Sequence, residues 1–253
     1  MLGTRLTCPH HNYEWLYPFS EQRFHMRWPQ RDLSDNGIVV GIHRIKRIRK
    51  KLGLRCRQKR KFKTTTDSRH FLPVAENLLG QHFEATEPNQ TWVSDITYIP
   101  TEEGWLYLAG HKDLFTGEIV GYAMSGRMTK NLVIQSLLRA FATKKPASGL
   151  MHHSDRGSQY CALEYASLID KCGMTASMSR KGNCYDNAPM ENFWGVLKNE
   201  QTHHCRYKTR QEAIKDIAEY IEIFYIRQRK QARLGFLSSA AYERWFYEKQ
   251  LAA

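Results

Sequence analysis

The chain has 253 residues, 42% of them hydrophobic, and a formal net charge of +13. That length supports one sizeable core with smaller appended units. No apolar run approaches the ~20 residues a membrane helix needs, and no charged segment followed by an apolar run marks a secretory signal. The charge is uneven: residues 43–63, HRIKRIRKKLGLRCRQKRKFK, carry twelve Lys or Arg and no acid, nearly the whole surplus. Like charges one helical turn apart destabilise a helix, so a solvated face has little use for such a run. It reads instead as an electrostatic footprint for a polyanion, and nucleic acid is the expected partner, with no membrane.

Residues 1–30 mix aromatics, His and Pro without helix or strand period and are left unassigned. From Ile38 to Leu54 apolar residues recur at Ile42, Ile45, Ile48 and Leu52, a helical spacing that Gly53 would end. A short basic helix of this kind suits a helix-turn-helix-like DNA-binding segment, placed at 31–64, with Arg44, Lys46, Arg47, Arg49, Lys50 and Lys51 as its candidate contacts. Residues 65–89 read as a linker with one short helix at 73–80.

From Gln90 the pattern changes. TWVSDITYIP (91–100), WLYLAGHKDLF (105–115) and EIVGYAMSG (118–126) predict three strands, the last two joined by a turn at Thr116 and Gly117. TKNLVIQSLLRAFATK (129–144) predicts a helix, GLMHHSD (149–155) a strand, SQYCALEYASLIDKCG (158–173) a helix and TASMS (175–179) a fifth strand. Next comes KGNCYDNAPMENFWGVLKNE. It begins as a loop and becomes a helix at Pro189, with Asp186 or Asn187 as cap and Met190, Phe193 and Leu197 on the packed face. A helix over 209–227 and a last one over 238–250 complete the chain. The expected architecture is α/β: a mixed five-stranded sheet flanked by helices (90–205), a basic N-terminal helical segment and a helical C-terminal extension (206–253).

The six cysteines never pair as C-x-x-C, which fits reduced thiols in the cytoplasm. Cys8 with His10 and His11, and His203 with His204 and Cys205, each lack a second ligand pair at zinc-finger spacing.

Three carboxylates stand out. Asp95 lies inside an apolar strand, where an acid is costly unless something pairs with it. Asp155 closes the fourth strand in HHSDRGSQY, where Gly157 admits a close ligand and Ser158 can cap the next helix. Glu191 lies in the first turn of its helix. Oxygen donors at two strand ends and a helix are the ligands Mg²⁺ prefers, and two such ions can clamp a phosphoryl transfer. Asp186 reads as a cap, Asp113 and Glu118 as structural acids beside a hairpin turn, and Glu200 as a solvent-facing residue near its helix end.

WVSDITYI, HHSDRGSQY and NAPMENFWGVLKNE together resemble the transposases of the IS-three insertion-sequence family, within the retroviral-integrase superfamily. That superfamily's signature is two Asp and one Glu, the last two separated by thirty-five residues, as Asp155 and Glu191 are here. The family also has a Lys or Arg seven residues after the Glu, here Lys198. Two helical turns put it on the face of Glu191, where it could hold a phosphate. The resemblance covers about residues 38–248. It implies an RNase H-like fold, catalysis and metal binding by Asp95, Asp155 and Glu191, and two Mg²⁺ or Mn²⁺ ions. It also implies DNA contact by Arg180 and Lys181 in the loop before the Glu, and homo-oligomers on DNA in a bacterial, nucleoid-associated setting.

Departures are local. YIRQRKQARLGFLSS (225–239) has Ile226, Gln231 and Ser239 where the family commonly has Asn, His and Pro, which unsettles the packing of this tail but spares the acids. Residues 1–28 match nothing in the family's pattern. The chain is therefore expected to be a truncated or frame-shifted copy, acting with an upstream-frame partner or fusion segment. The expected activity is metal-dependent cleavage and strand transfer at the ends of an insertion sequence. The rivals are a nuclease of the same fold that does not join strands, and a remnant that only binds DNA through its basic segment.

Overall fold

A computed structural model of the chain describes residues 27–52 and 72–252. These fall in two units, each taken by itself. Cys8, His10 and His11, Gly53, the second half of the basic run and the first residues of the expected linker lie outside the described residues.

The first unit is a pair of helices, α1 (Arg27–Asp35) and α2 (Ile42–Lys51). Their connection turns at Gly37, whose φ of 78° is left-handed and suits glycine. Gln30 Nε2 donates to Val40 O at 3.1 Å and ties α1 to the entry of α2. The helix expected from Ile38 begins at Ile42, after Gly41, which is extended at the cap position. Of its apolar stripe Ile45 is buried, while Ile48 and Leu52 remain exposed.

The second unit is built on β1 (Thr91–Thr101), β2 (Gly104–Asp113), β3 (Ile119–Ser125), β4 (Met151–Ser154) and β5 (Thr175–Met178). The strand order is β3-β2-β1-β4-β5. The β1, β2 and β3 strands form an antiparallel meander, and β4 and β5 extend the sheet in parallel from β1. Parallel neighbours need crossovers, which α3 (Lys130–Lys144) and α4 (Leu163–Lys171) supply. This is the mixed five-stranded sheet that the order of predicted strands and helices implied. The helices α5 (Ala188–Glu200), α6 (Arg210–Glu219) and α7 (Ser239–Leu251) follow it.

Both faces of the sheet are covered. On one, Trp92 and Ile96 meet Val133 and Leu137 of α3 and Tyr165 and Ile169 of α4. On the other, Val93 and Ile99 meet Phe193 and Leu197 of α5 and Ile217 of α6. Alternate β1 residues thus serve opposite cores, which is why the strand is buried almost end to end. Each large side chain buried this way contributes ~1.5–3 kcal/mol. Gly121 on β3 lets α3 settle closely, since a Cβ there would stand 2.4 Å from the Ala140 nitrogen.

Several expectations change. Residues 73–80 form no helix; Leu78 and Leu79 donate their N–H groups to Ser177 Oγ at 3.0 and 3.2 Å, and Met178 N donates to Glu76 O. Pro73 opens this stretch, and pairing against the β5 edge satisfies its backbone better than a short isolated helix would. The helix expected over 209–227 is α6 followed by a π-helical turn, Tyr220–Tyr225. The tail's departures answer one another: Gln231 Nε2 donates to Ser239 Oγ at 2.8 Å, and both residues are buried.

Candidate active site

Pairing register brings the first two acids together. Ser94 of β1 is opposite Ser154 of parallel β4, so Asp95 and Asp155 follow directly from adjacent positions on neighbouring strands, which run about 4.8 Å apart. Asp95 points to the α5 side, where Trp194 Nε1 donates to its Oδ2 at 3.0 Å. Asp155 Oδ1 accepts from the Gly157 N–H at 2.8 Å. This local turn replaces the expected cap: α4 starts only at Leu163, after Ala162, and Ser158 caps nothing.

Gly110 faces Asp95 across the β1–β2 ladder. A Cβ there would stand 3.0 Å from Met190 Cε and 3.1 Å from Trp194 Cη2. The glycine therefore lets the α5 helix lie close over the Asp95 carboxylate. Glu191 occupies the first turn of that helix with its side chain exposed. Burial, then the Asp155 charge, then Glu191 push the Asp95 carboxyl well above the usual carboxylate range. Burial and Asp155 push Glu191 up as well. Among the described residues neither Asp95 nor Glu191 makes an ion pair. The Lys198 ammonium sits 5.0 Å over the Tyr98 ring. Burial lowers its pKa while the Asp95 charge opposes that, so Lys198 shares the field of the acids.

The other acids of the same stretch differ from expectation. Asp186 is not a cap. It is fully buried, accepting from Arg180 Nε and Nη2 at 3.0 and 2.8 Å, Asn77 Nδ2 at 2.9 Å and Gln81 Nε2 at 2.7 Å. The Arg180 hydrogen bonds hold its carboxyl far below the usual range. Arg180, expected at a DNA phosphate, is thus engaged in an ion pair, while Lys181 stays exposed. Glu200 is not solvated either. It is buried between the Arg229 guanidinium, at 2.7 Å from Nη2, and the Tyr220 hydroxyl at 2.6 Å. Spacing along α5 suggested solvent, but α6 and its π turn cover that end. Asp113 and Glu118 are structural: Asp113 accepts from the Thr116 N–H and hydroxyl at the hairpin turn, and Glu118 pairs with Lys144.

Three residues at the site escaped sequence reading. Asn187, at the cap position of α5, makes no side-chain cap and instead donates to Ser94 O at 2.9 Å, tying the helix start to β1. Lys112 of β2, only 6% exposed, donates from Nζ to Pro189 O at 3.1 Å. Burial, then Arg233 and Arg229, lower its pKa to about 7. A lysine inside WLYLAGHKDLF was the available signal, of the same kind that picked out Asp95. Trp194 looked like packing alone. On the opposite face, buried His111 and His152 share a hydrogen bond at 3.1 Å, and burial keeps both rings neutral.

An integrase core domain family matches residues 85–184, and a second family of the same description matches residues 191–245. The chain is 58% identical over 219 residues to the insertion element IS600 uncharacterized 31 kDa protein of Shigella sonnei, covering 87% of this chain and 80% of that one. It is 38% identical over 224 residues to transposase InsF for insertion sequence IS3A of Escherichia coli strain K12, covering 88% and 78%. Among solved structures it is similar to the HTLV-2 integrase catalytic core domain in complex with magnesium, with 16% identity and a TM-score of 0.49 over 62% of this chain and 97% of that one.

Proposed function

The chain belongs to the integrase-core family of insertion-sequence transposases, and from that premise we propose that Asp95, Asp155 and Glu191 are the acids with which it cleaves and joins DNA. One observation carries the assignment: the Asp155 charge pushes both Asp95 and Glu191 up, and neither of those two makes an ion pair among the described residues, whereas Asp186, Glu200 and Glu118 each hold an arginine or lysine.

The donor set fits divalent metal, with which the family works. Among the described residues no three His, Cys, Asp or Glu side chains already enclose an ion-sized space, so the fit rests on donor chemistry. Three hard carboxylate donors repel one another, and a dication relieves that repulsion. Asp95, Asp155 and Glu191 would hold it. When bound, Mg²⁺ or Mn²⁺ lowers the pKa of an attacking hydroxyl and neutralises charge on the phosphate.

The side chains around this set prepare the rest. Trp194 fixes the Asp95 carboxylate and the Gly157 N–H fixes Asp155. Lys198, restrained against Tyr98, offers its ammonium to a phosphate oxygen. Water attacks a phosphodiester at the element end, breaking the P–O bond to the 3′ oxygen, which leaves as a hydroxyl. That 3′-hydroxyl then attacks a target phosphodiester, forming one P–O bond as another breaks, and the departing oxygen takes up a proton. No covalent enzyme intermediate is needed. The α2 cations Arg44, Lys46, Arg47, Arg49, Lys50 and Lys51, together with Lys181, supply phosphate contacts, and the enzyme works as a homo-oligomer on DNA.

The test uses a duplex carrying a pre-cut element end, a target duplex and Mg²⁺. Joined strands are expected from the wild type, with Glu191→Gln down at least ~10³-fold. Cleavage without joining would assign the chain to the nucleases of this fold, and joining that survives Glu191→Gln would overturn the acid assignment.

A further inference from the structure

Lys112 is an expensive residue to keep. Its ammonium is buried, the two charged groups that act on it are the arginines Arg233 and Arg229, and the carbonyl it reaches lies in the first turn of α5. A helix N-terminus repels a cation. A buried charge without a carboxylate costs free energy that an apolar side chain of the same volume would not. Packing therefore gives no reason for a lysine here, but its reach does.

The first half of α5 is tethered to the sheet at three points. Asn187 Nδ2 donates to Ser94 O of β1, Lys112 Nζ of β2 donates to Pro189 O, and Trp194 Nε1 donates to Asp95. Glu191 lies between the second and third. With a rise of 1.5 Å per residue, it stands within ~6 Å along the axis of every tether. Apolar contacts at Met190 and Phe193 hold the helix against the sheet but are non-directional. Hydrogen bonds to two different central strands oppose sliding and rotation, the motions that would carry Glu191 away from Asp95 and Asp155.

We propose that Lys112 and Asn187 are positioning residues: by fixing the first turn of α5 to β2 and β1, they set where the Glu191 carboxylate stands relative to Asp95 and Asp155. This rests on the acid assignment above, and the two can fail separately.

The experiment measures Mn²⁺ binding by calorimetry in the full chain, beside thermal melting and strand joining. Wild type should bind and Asp95→Asn should not; wild type without binding overturns both the acid assignment and this proposal. Lys112→Met should melt at or above the wild-type temperature yet bind Mn²⁺ about 10–100-fold more weakly, the range seen when groups supporting metal ligands are removed. Joining should recover in part at high Mn²⁺. Wild-type Mn²⁺ affinity in a folded Lys112→Met overturns the proposal while leaving the acids in place. Should Lys112→Met not fold, Asn187→Ala carries the test: it must weaken Mn²⁺ binding, with Lys112→Arg, which keeps a donor, within about threefold of wild type. Unchanged affinity in Asn187→Ala overturns the proposal by that route.

Discussion

The two ends of α5 carry one glutamate each and treat it in opposite ways. At the last turn Glu200 is buried, and Arg229 and Tyr220 saturate its oxygens. At the first turn Glu191 reaches solvent, makes no ion pair among the described residues, and is pushed up by partial desolvation and then by the Asp155 charge. The helix is the same, and what differs is the neighbourhood: an arginine folds back over one end, and two aspartates lie beneath the other. Three acids placed outside the site, Asp186, Glu200 and Glu118, each pair with an arginine or lysine. Asp95 and Glu191, assigned to chemistry, make no ion pair among the described residues and are pushed up by Asp155 instead.

Glu191→Gln and Glu200→Gln break the comparison most directly. The first should abolish joining, by ~10³-fold or more, with no loss of melting temperature. Its folded pKa is raised, so any stability it contributes is present below the usual carboxylate pKa and is lost as pH rises through the folded value. Neutralising Glu191 at pH 7 therefore costs nothing and relieves repulsion from Asp155. Glu200→Gln should do the reverse, costing about 3–5 kcal/mol by stranding Arg229, while a preparation refolded in the cold still joins ends. Paired unfolding and joining assays read both; if Glu200→Gln were fully stable and inactive, the distinction between the two ends would collapse.

Asp186→Asn asks the same question in the loop before the helix. Arg180 holds the Asp186 carboxyl low, so its contribution is present above the unfolded pKa of ~3.9 and disappears as pH falls through the lower folded value. Wild type should exceed Asp186→Asn by ~2–3 kcal/mol at pH 7, and the gap should close in strong acid. A gap that persists there would mean shape, not charge, makes the loop's stability.

Much of this was legible in the sequence, and what was not has a common cause. Strand alternation and the break at Gly117 predict the meander; the spacing of Asp155 and Glu191 carries the family resemblance. The Asp186 and Glu200 expectations failed because each acid's partner depends on three-dimensional packing. Arg229 is twenty-nine residues from Glu200, and Asn77 more than a hundred from Asp186. A helix wheel cannot show that α6 will cover the end of α5. Lys112 is the reverse case: its apolar surroundings were visible, but its acceptor is a backbone carbonyl of Pro189, and no side-chain pattern encodes that.

Lys112 extends the comparison to a cation. Its folded pKa, about 7, lies below the ~10.4 of an unfolded lysine. Between those values the unfolded chain binds the extra proton, so the wild type should gain stability as pH rises from about 7 toward 10. Lys112→Met should be more stable by ~1–3 kcal/mol near pH 6, and that advantage should shrink steadily to pH 10. Denaturant midpoints along this pH series decide it, and a constant offset would place the ammonium in water rather than in the sheet.

The smallest effect concerns the surplus cations of α2. That helix holds no acid, and Arg44, Lys46, Arg47, Lys50 and Lys51 are exposed along it. It is the mirror of the acid set: charge left for a partner to neutralise, here proposed to be DNA phosphate. Each phosphate contact releases about 0.9 of a counterion, so Lys46→Ala, Arg47→Ala and Lys50→Ala together should reduce the slope of log affinity against log salt by up to ~3. Binding near physiological salt should weaken about tenfold, and joining at saturating DNA should change little, because none of the three lies in the unit that holds the acids. An unchanged slope would remove α2 from the interface, and DNA binding would then rest on the cations of the second unit, Lys181 and Lys198 first among them.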